Sequence, residues 1–124
     1  MTKKVFIITG EYSGDMHAAL VVQELKKLIP DIIIEAVGES NLEKEGVKLF
    51  RNHSKMGKIG LGLSTIINHY ILGVDIINYL KNDFKPDLVL LVDYGAFNLQ
   101  ISKKLKALNI KTHYFIPPQV WASR

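Results

Sequence analysis

Val5-Phe6-Ile7-Ile8-Thr9-Gly10-Glu11-Tyr12-Ser13-Gly14-Asp15 decides the fold. A short apolar run breaks into a glycine-bounded polar turn. From Asp15 to Leu28 the apolar residues Ala18, Val21, Val22, Leu25 and Leu28 then recur at helical spacing, and Pro30 stops the pattern. Two later apolar runs end the same way, one in Val92-Asp93-Tyr94-Gly95-Ala96-Phe97-Asn98, the other in Ile116-Pro117-Pro118-Gln119-Val120-Trp121. If the three runs are parallel strands of one sheet, all three polar segments leave its carboxyl edge, where open α/β sheets place their ligands.

Outward from that stretch, strand and helix alternate. Ile32 to Val37 reads as a second strand, Asn41 to Glu45 as a helical turn closed by Gly46, and Val47 to Phe50 as a short strand. Arg51 to Gly62 reads as an irregular loop and Leu63 to Asn82 as a long helix. Leu88 to Val92 is the next strand, Leu99 to Leu108 a helix capped by Asn98, and Lys111 to Ile116 a last strand ended by two prolines. This order predicts a Rossmann-like three-layer α/β/α domain with a parallel sheet covered on both faces, spanning 1–124 as a single unit.

Composition narrows the function. The chain has 124 residues, 48% of them hydrophobic, enough for one core but short for a complete two-substrate enzyme. With no cysteine, disulfide and thiolate–metal chemistry are excluded. The apolar run after Lys3 and Lys4 is too short for a secretory signal, which suits a cytoplasmic protein. The net charge is +4, but the lysines are scattered and aromatics near them are sparse, so a nucleic-acid partner is not indicated. His17, His53, His69 and His113 show no metal-ligand spacing, so no metal site is expected.

The first turn lacks the Gly-x-Gly-x-x-Gly spacing, and Glu11 and Asp15 bracket it with negative charge that repels phosphate. A nicotinamide or flavin cofactor is therefore rejected. Recognition of sugar hydroxyls suits the turn better, with Glu11 and Asp15 accepting, Ser13 donating or accepting, and Gly10 and Gly14 permitting close approach. Equally, Ser13 can cap the helix and Asp15 can favour its first turn. Asp93, at the end of a buried-type strand, is placed to act as a general base or, alternatively, to cap a turn. Asn98 reads first as an N-cap and second as a substrate contact. Gln119 offers an amide to a sugar or phosphate oxygen; Trp121 reads first as a core aromatic or an interdomain contact, and second as a cover for an acyl chain or sugar face.

The opening Thr9-Gly10-Glu11-Tyr12-Ser13-Gly14-Asp15, the Lys85-Pro86-Asp87 strand running to Asp93 with Phe97-Asn98 beyond it, and the closing Pro118-Gln119-Val120-Trp121-Ala122-Ser123-Arg124 resemble the lipid-A-disaccharide synthase family in order and spacing. The resemblance covers nearly the whole chain but only the amino-terminal portion of that family. It implies the acceptor half of a two-domain, metal-independent, inverting GT-B glycosyltransferase at the inner membrane surface of Gram-negative bacteria. The expected reaction joins UDP-2,3-diacylglucosamine to 2,3-diacylglucosamine 1-phosphate and releases UDP, with Asp93 as base and no cofactor. The UDP-sugar donor is then held by a second domain outside this chain, and the chain alone is expected to be inactive. Ala96, Leu63 and Ser123 depart from the family pattern. Two other readings remain open: a free-standing flavodoxin-like binding module, and another GT-B transferase or epimerase.

The long helix is too often interrupted by Asn68, His69, Asp75 and Asn78 to span a membrane. Helical spacing puts Ser64, Asn68, Asp75 and Asn82 on one stripe, with Leu72 and Tyr79 beside it and expected to be exposed or half exposed. Flanked by Lys55, Lys58, Lys81 and Lys85, those two side chains become candidates for membrane or acyl contact. The competing expectation is a helix buried all round.

Overall fold

The computed structural model describes residues 2–10, 12–52, 63–92 and 95–115, without the side chains of 63–69 and 95–96. Five strands, β1 (Lys4–Thr9), β2 (Ile33–Gly38), β3 (Lys48–Asn52), β4 (Leu88–Val92) and β5 (Thr112–Phe115), form one sheet. All pairings are parallel, in the order β3-β2-β1-β4-β5. The helices are α1 (Tyr12–Leu28), α2 (Ser40–Lys44), α3 (Leu63–Tyr79) and α4 (Gly95–Ala107).

The strands are apolar at consecutive positions because both faces of the sheet are covered. On one face Val5, Ile7, Ile34, Ala36, Leu90 and Val92 pack with Ala18, Ala19 and Val22 of α1 and Leu42 of α2. On the other, Phe6, Ile8, Val37, Val89 and Leu91 pack with Leu72 and Ile76 of α3, with Leu80 and Phe84, and with Ile101 and Leu105 of α4. This is the expected three-layer α/β/α arrangement. At the amino edge of the sheet, Lys4 and Asp87 bind reciprocally: the Lys4 N–H donates to Asp87 Oδ2 at 2.8 Å and the Asp87 N–H to the Lys4 carbonyl at 2.8 Å. The Lys-Pro-Asp segment thus fixes where β1 and β4 begin in register.

The long helix departs from expectation at both its end and its faces. Its α-helical part stops at Tyr79, and Leu80–Phe84 continue as a π-helical turn, closed where the Lys85 N–H reaches the Leu80 carbonyl at 3.0 Å with Lys85 left-handed at φ 50°. Pro86 cannot extend a helix, and the wider turn lets Leu80 and Phe84 both enter the core. Leu72 is 2% exposed, so its expected exposure is corrected. Of the polar stripe, Asp75 accepts a 3.2 Å bond from Arg51 of β3 and Asn82 is exposed, while the side chains of Ser64 and Asn68 lie outside the described residues. The outward face carries Tyr70, Ile71 and Val74, exposed by 71%, 51% and 40%. A helix apolar around most of its circumference has no sequence signal saying which apolar residues face in.

Tyr79 is half-buried, as expected, but its ring belongs to the core. It stacks on Phe50 with centroids 4.6 Å apart and on Phe84 at 6.0 Å, and its hydroxyl donates to the Glu35 carboxylate of β2. Burial, then the bond to Glu35, then the charges of Glu35 and Asp83, push its phenol up to about 12 from an ordinary 10.0. Because the folded state holds the proton more tightly, this contribution to stability is complete below pH 10 and is lost as pH rises towards 12. Tyr79→Phe removes that loss. In thermal unfolding scans the gap between wild type and variant is expected to be widest below pH 10 and to narrow steadily towards pH 12.

Candidate functional site

Strand order places a topological switch point between β1 and β4. From β1 the chain turns into α1 on one face of the sheet; from β4 it turns into α4 on the other. Open α/β sheets place their ligands outside the carboxyl ends of the strands at such a point; of the connecting residues, 11 and 93–94 lie outside the described residues, and Gly10, directly after β1, is half-buried. Ser13 is exposed in the first turn of α1, a helix that begins at Tyr12, so it does not occupy the cap position. Gly14 is buried: a Cβ added there would sit 3.5 Å from Thr9 Cβ and 3.5 Å from Val92 Cγ1. These are ordinary contacts, so Gly14 seats α1 closely on β1 and β4.

Asp15 is wholly buried, and its carboxylate meets the turn after β2. Oδ1 accepts from the N–H of Glu39 at 2.7 Å and of Leu42 at 3.3 Å, and Oδ2 from the N–H of Asn41 at 2.9 Å. Those of Asn41 and Leu42 are the amides a helix N-cap ordinarily satisfies, and Glu39, in the cap position of α2, makes no side-chain cap bond. A carboxylate from α1 thus caps α2. This corrects the expectation that Asp15 presents its oxygens to a sugar. Gly38 makes room for it: an added Cβ would lie 3.0 Å from Asp15 Oδ1 and 2.5 Å from Leu42 Cδ1. Thr9 completes the frame by donating its hydroxyl to the Val37 carbonyl at 3.0 Å. The Asp15 cap was not legible beforehand, because a sequence pattern for capping looks only at neighbours in the chain.

Asn98 also corrects its first reading. α4 starts at Gly95, so Asn98 lies inside the first turn and is not its N-cap. It is 0% exposed, and among the described residues neither Nδ2 nor Oδ1 has a hydrogen-bond partner. A buried amide in that state costs about 1–3 kcal/mol. Glu11, Asp93, Gln119 and Trp121 lie outside the described residues. Among the described residues, no three His, Cys, Asp or Glu side chains gather where a metal could bind, and no helix is long and apolar enough to cross a membrane.

Residues 5–124 match the family model described as lipid-A-disaccharide synthetase. The chain belongs to that family. It is 36% identical over 121 residues to a lipid-A-disaccharide synthase of Nitrosococcus oceani, covering 97% of this chain and 31% of the relative. Against that of Coxiella burnetii it is 37% identical over 125 residues, covering 98% and 33%. It therefore spans about a third of the length of the curated relatives it matches. Among solved structures, the carboxyl-terminal domain of a hydrogenase from Pyrococcus furiosus superposes with a TM-score of 0.68 at 14% identity, covering 91% of each chain. A UDP-N-acetylglucosamine 2-epimerase superposes at 0.62 with 20% identity, covering 92% of this chain and 33% of that one. At such identities the likeness concerns the fold, and it extends to proteins of unrelated chemistry.

Within the opening motif, Asp15 and Gly14 are thus structural residues. Asp15→Ala strands three backbone amides and is expected to cost about 2–4 kcal/mol in denaturant unfolding. Asp15→Asn, which keeps an acceptor oxygen, should cost less. Gly38→Ala is expected to destabilise by about 1–3 kcal/mol through overpacking, whereas Gly14→Ala is expected to be tolerated within about 1 kcal/mol.

Proposed function

We propose that this chain is the acceptor-binding part of an inverting glycosyltransferase that joins UDP-2,3-diacylglucosamine to 2,3-diacylglucosamine 1-phosphate in lipid A biosynthesis. The observation that carries the reading is the family match over residues 5–124, on a domain whose topological switch point lies between β1 and β4. In this reading the UDP-sugar is held by the remaining two-thirds of a family-length protein, and the acceptor sugar enters the crevice between Gly10 and the start of α4.

Asp93, directly after β4, is the proposed base. An acceptor hydroxyl oxygen attacks the anomeric carbon from the face opposite UDP. The bond from that carbon to the UDP oxygen breaks, UDP leaves with the electron pair, and the hydroxyl proton passes to the Asp93 carboxylate. Glu11, Ser13 and Gln119 are proposed sugar contacts, and Trp121 a cover for a sugar or acyl face. The chemistry asks for a single positioned proton acceptor and needs no cofactor. In the full-length protein, Asp93→Asn is expected to lower kcat by about 100- to 10,000-fold while the KM for acceptor changes little. Turnover of Asp93→Asn at the wild-type rate, in a radiolabelled disaccharide assay, excludes the base assignment.

The acceptor is a lipid, so the domain is proposed to work against the cytoplasmic face of the inner membrane. Tyr70, Ile71 and Val74 form an outward apolar patch on α3, and the exposed Lys81 and Lys85 follow it towards β4. Such a surface suits an anionic bilayer, with side chains inserted and lysines at the headgroups. Replacing Tyr70, Ile71 and Val74 together by serine is expected to cut co-sedimentation with anionic vesicles at least several-fold and leave the thermal midpoint nearly unchanged. Undiminished sedimentation excludes this face as the membrane contact.

A further inference from the structure

The outer side of α1 carries a row of large apolar side chains that stays exposed in the folded domain. Tyr12, Met16 and Leu20, at positions i, i+4 and i+8, are exposed by 56%, 43% and 56%. They form one continuous i±4 ridge, whereas a free surface ordinarily shows its apolar residues singly. The other sides of α1 are engaged: Ala18, Ala19 and Val22 enter the core, and Gln23 and Lys26 bond to Glu45 at the end of α2.

Charge and area decide what covers the ridge. It lies on the opposite face of the sheet from α3 and its apolar patch, so a bilayer that meets one does not meet the other. Among the described residues, the lysines of α1 and α2 make no cationic rim for anionic headgroups: Lys27 is paired with Glu24 at 3.2 Å, Lys26 bonds the Glu45 carbonyl, and Lys44 stands next to Glu43 in the chain. A second copy fits no better. The three side chains offer on the order of 300 Å² to a partner, against about 800 Å² on each side of a stable complex between separate chains. A contact of that size holds when a covalent link supplies the effective concentration. This chain spans only about a third of the length of the relatives it matches, so most of a family-length protein is left to supply the cover. An i±4 ridge seats in the groove between the same ridges of another helix. We infer that Tyr12, Met16 and Leu20 are the docking ridge for an apolar helix face in the remaining two-thirds of a family-length protein. The inference rests on the transferase reading above for that second part. Tyr12 lies two residues past Gly10, near the carboxyl end of β1, so a domain seated on the ridge reaches the edge where that reading brings donor and acceptor together.

The test compares this chain alone with the full-length protein. The chain has no cysteine, so Met16→Cys and Leu20→Cys each place a single thiol on the ridge, and maleimide labelling at that position is read by peptide mass spectrometry. In the chain alone the thiol is expected to label within about 3-fold of its rate in urea, and in the full-length protein at least about 30-fold more slowly than in urea. Leu20→Arg should lower the thermal midpoint of the full-length protein by several degrees and leave that of the chain alone nearly unchanged. Labelling as fast in the full-length protein as in the chain alone overturns the inference. Protection that disappears on dilution by about tenfold overturns it too, because the cover is then a neighbouring copy. Disaccharide synthesis by the full-length wild type reports separately on the transferase reading, so failure of one is told apart from failure of the other.

Discussion

The carboxylate of Asp15 sits in the protein interior because three backbone amides meet it there. An unpaired carboxylate in such a place would be strongly unfavourable, and three unpaired amides in its absence would be nearly as bad. Each side of the interaction therefore fixes the other. The first turn of α1 is held against the turn that leaves β2, and α2 obtains from another helix the cap its own sequence does not provide. Gly38 is required for the same reason, since any side chain there would collide with the carboxylate and with Leu42. The Thr9 bond to the Val37 carbonyl repeats the tie one layer lower. These contacts tie α1, the turn after β2 and the end of β1 together.

The residues of the opening motif differ in what they do. Gly14 and Asp15 look inward and build the wall, while Gly10 and Ser13 look outward. Across the switch point, Asn98 is equally buried, and among the described residues its amide has no hydrogen-bond partner. The π-helical turn after α3 has a different role. It seats Leu80 and Phe84 beneath the sheet and brings the chain to the reciprocal Lys4–Asp87 pairing, which sets the register of β1 against β4.

Much of the architecture was legible in the chain because parallel strands buried on both faces read as uninterrupted apolar runs. Val5 to Thr9 and Leu88 to Val92 are such runs, and the helical spacing of Ala18, Val22 and Leu25 is equally plain. Errors arose where local pattern and tertiary environment disagree. Asn98 precedes an apolar helical pattern, as an N-cap does, yet α4 begins three residues earlier, at Gly95. Leu72 stands beside a polar stripe and was expected to face out, but it anchors α3 to the sheet. In a helix with apolar residues on nearly every side, periodicity gives the presence of a helix and not its rotation.

The sequence by itself determined the alternation of strands and helices, the parallel sheet, the place of the polar turns at its carboxyl edge and the resemblance to the family. These follow from short-range patterns in which each residue is judged with its neighbours. Only the tertiary structure decided that Asp15 is a cap for a helix twenty-five residues away, beginning at Ser40, that Tyr70, Ile71 and Val74 form the outward face of α3, and that Asn98 is buried inside α4 instead of capping it. Hydrogen bonds and burial are made with whatever lies nearby in space, and a chain folded through a five-stranded sheet brings together residues that no local pattern connects.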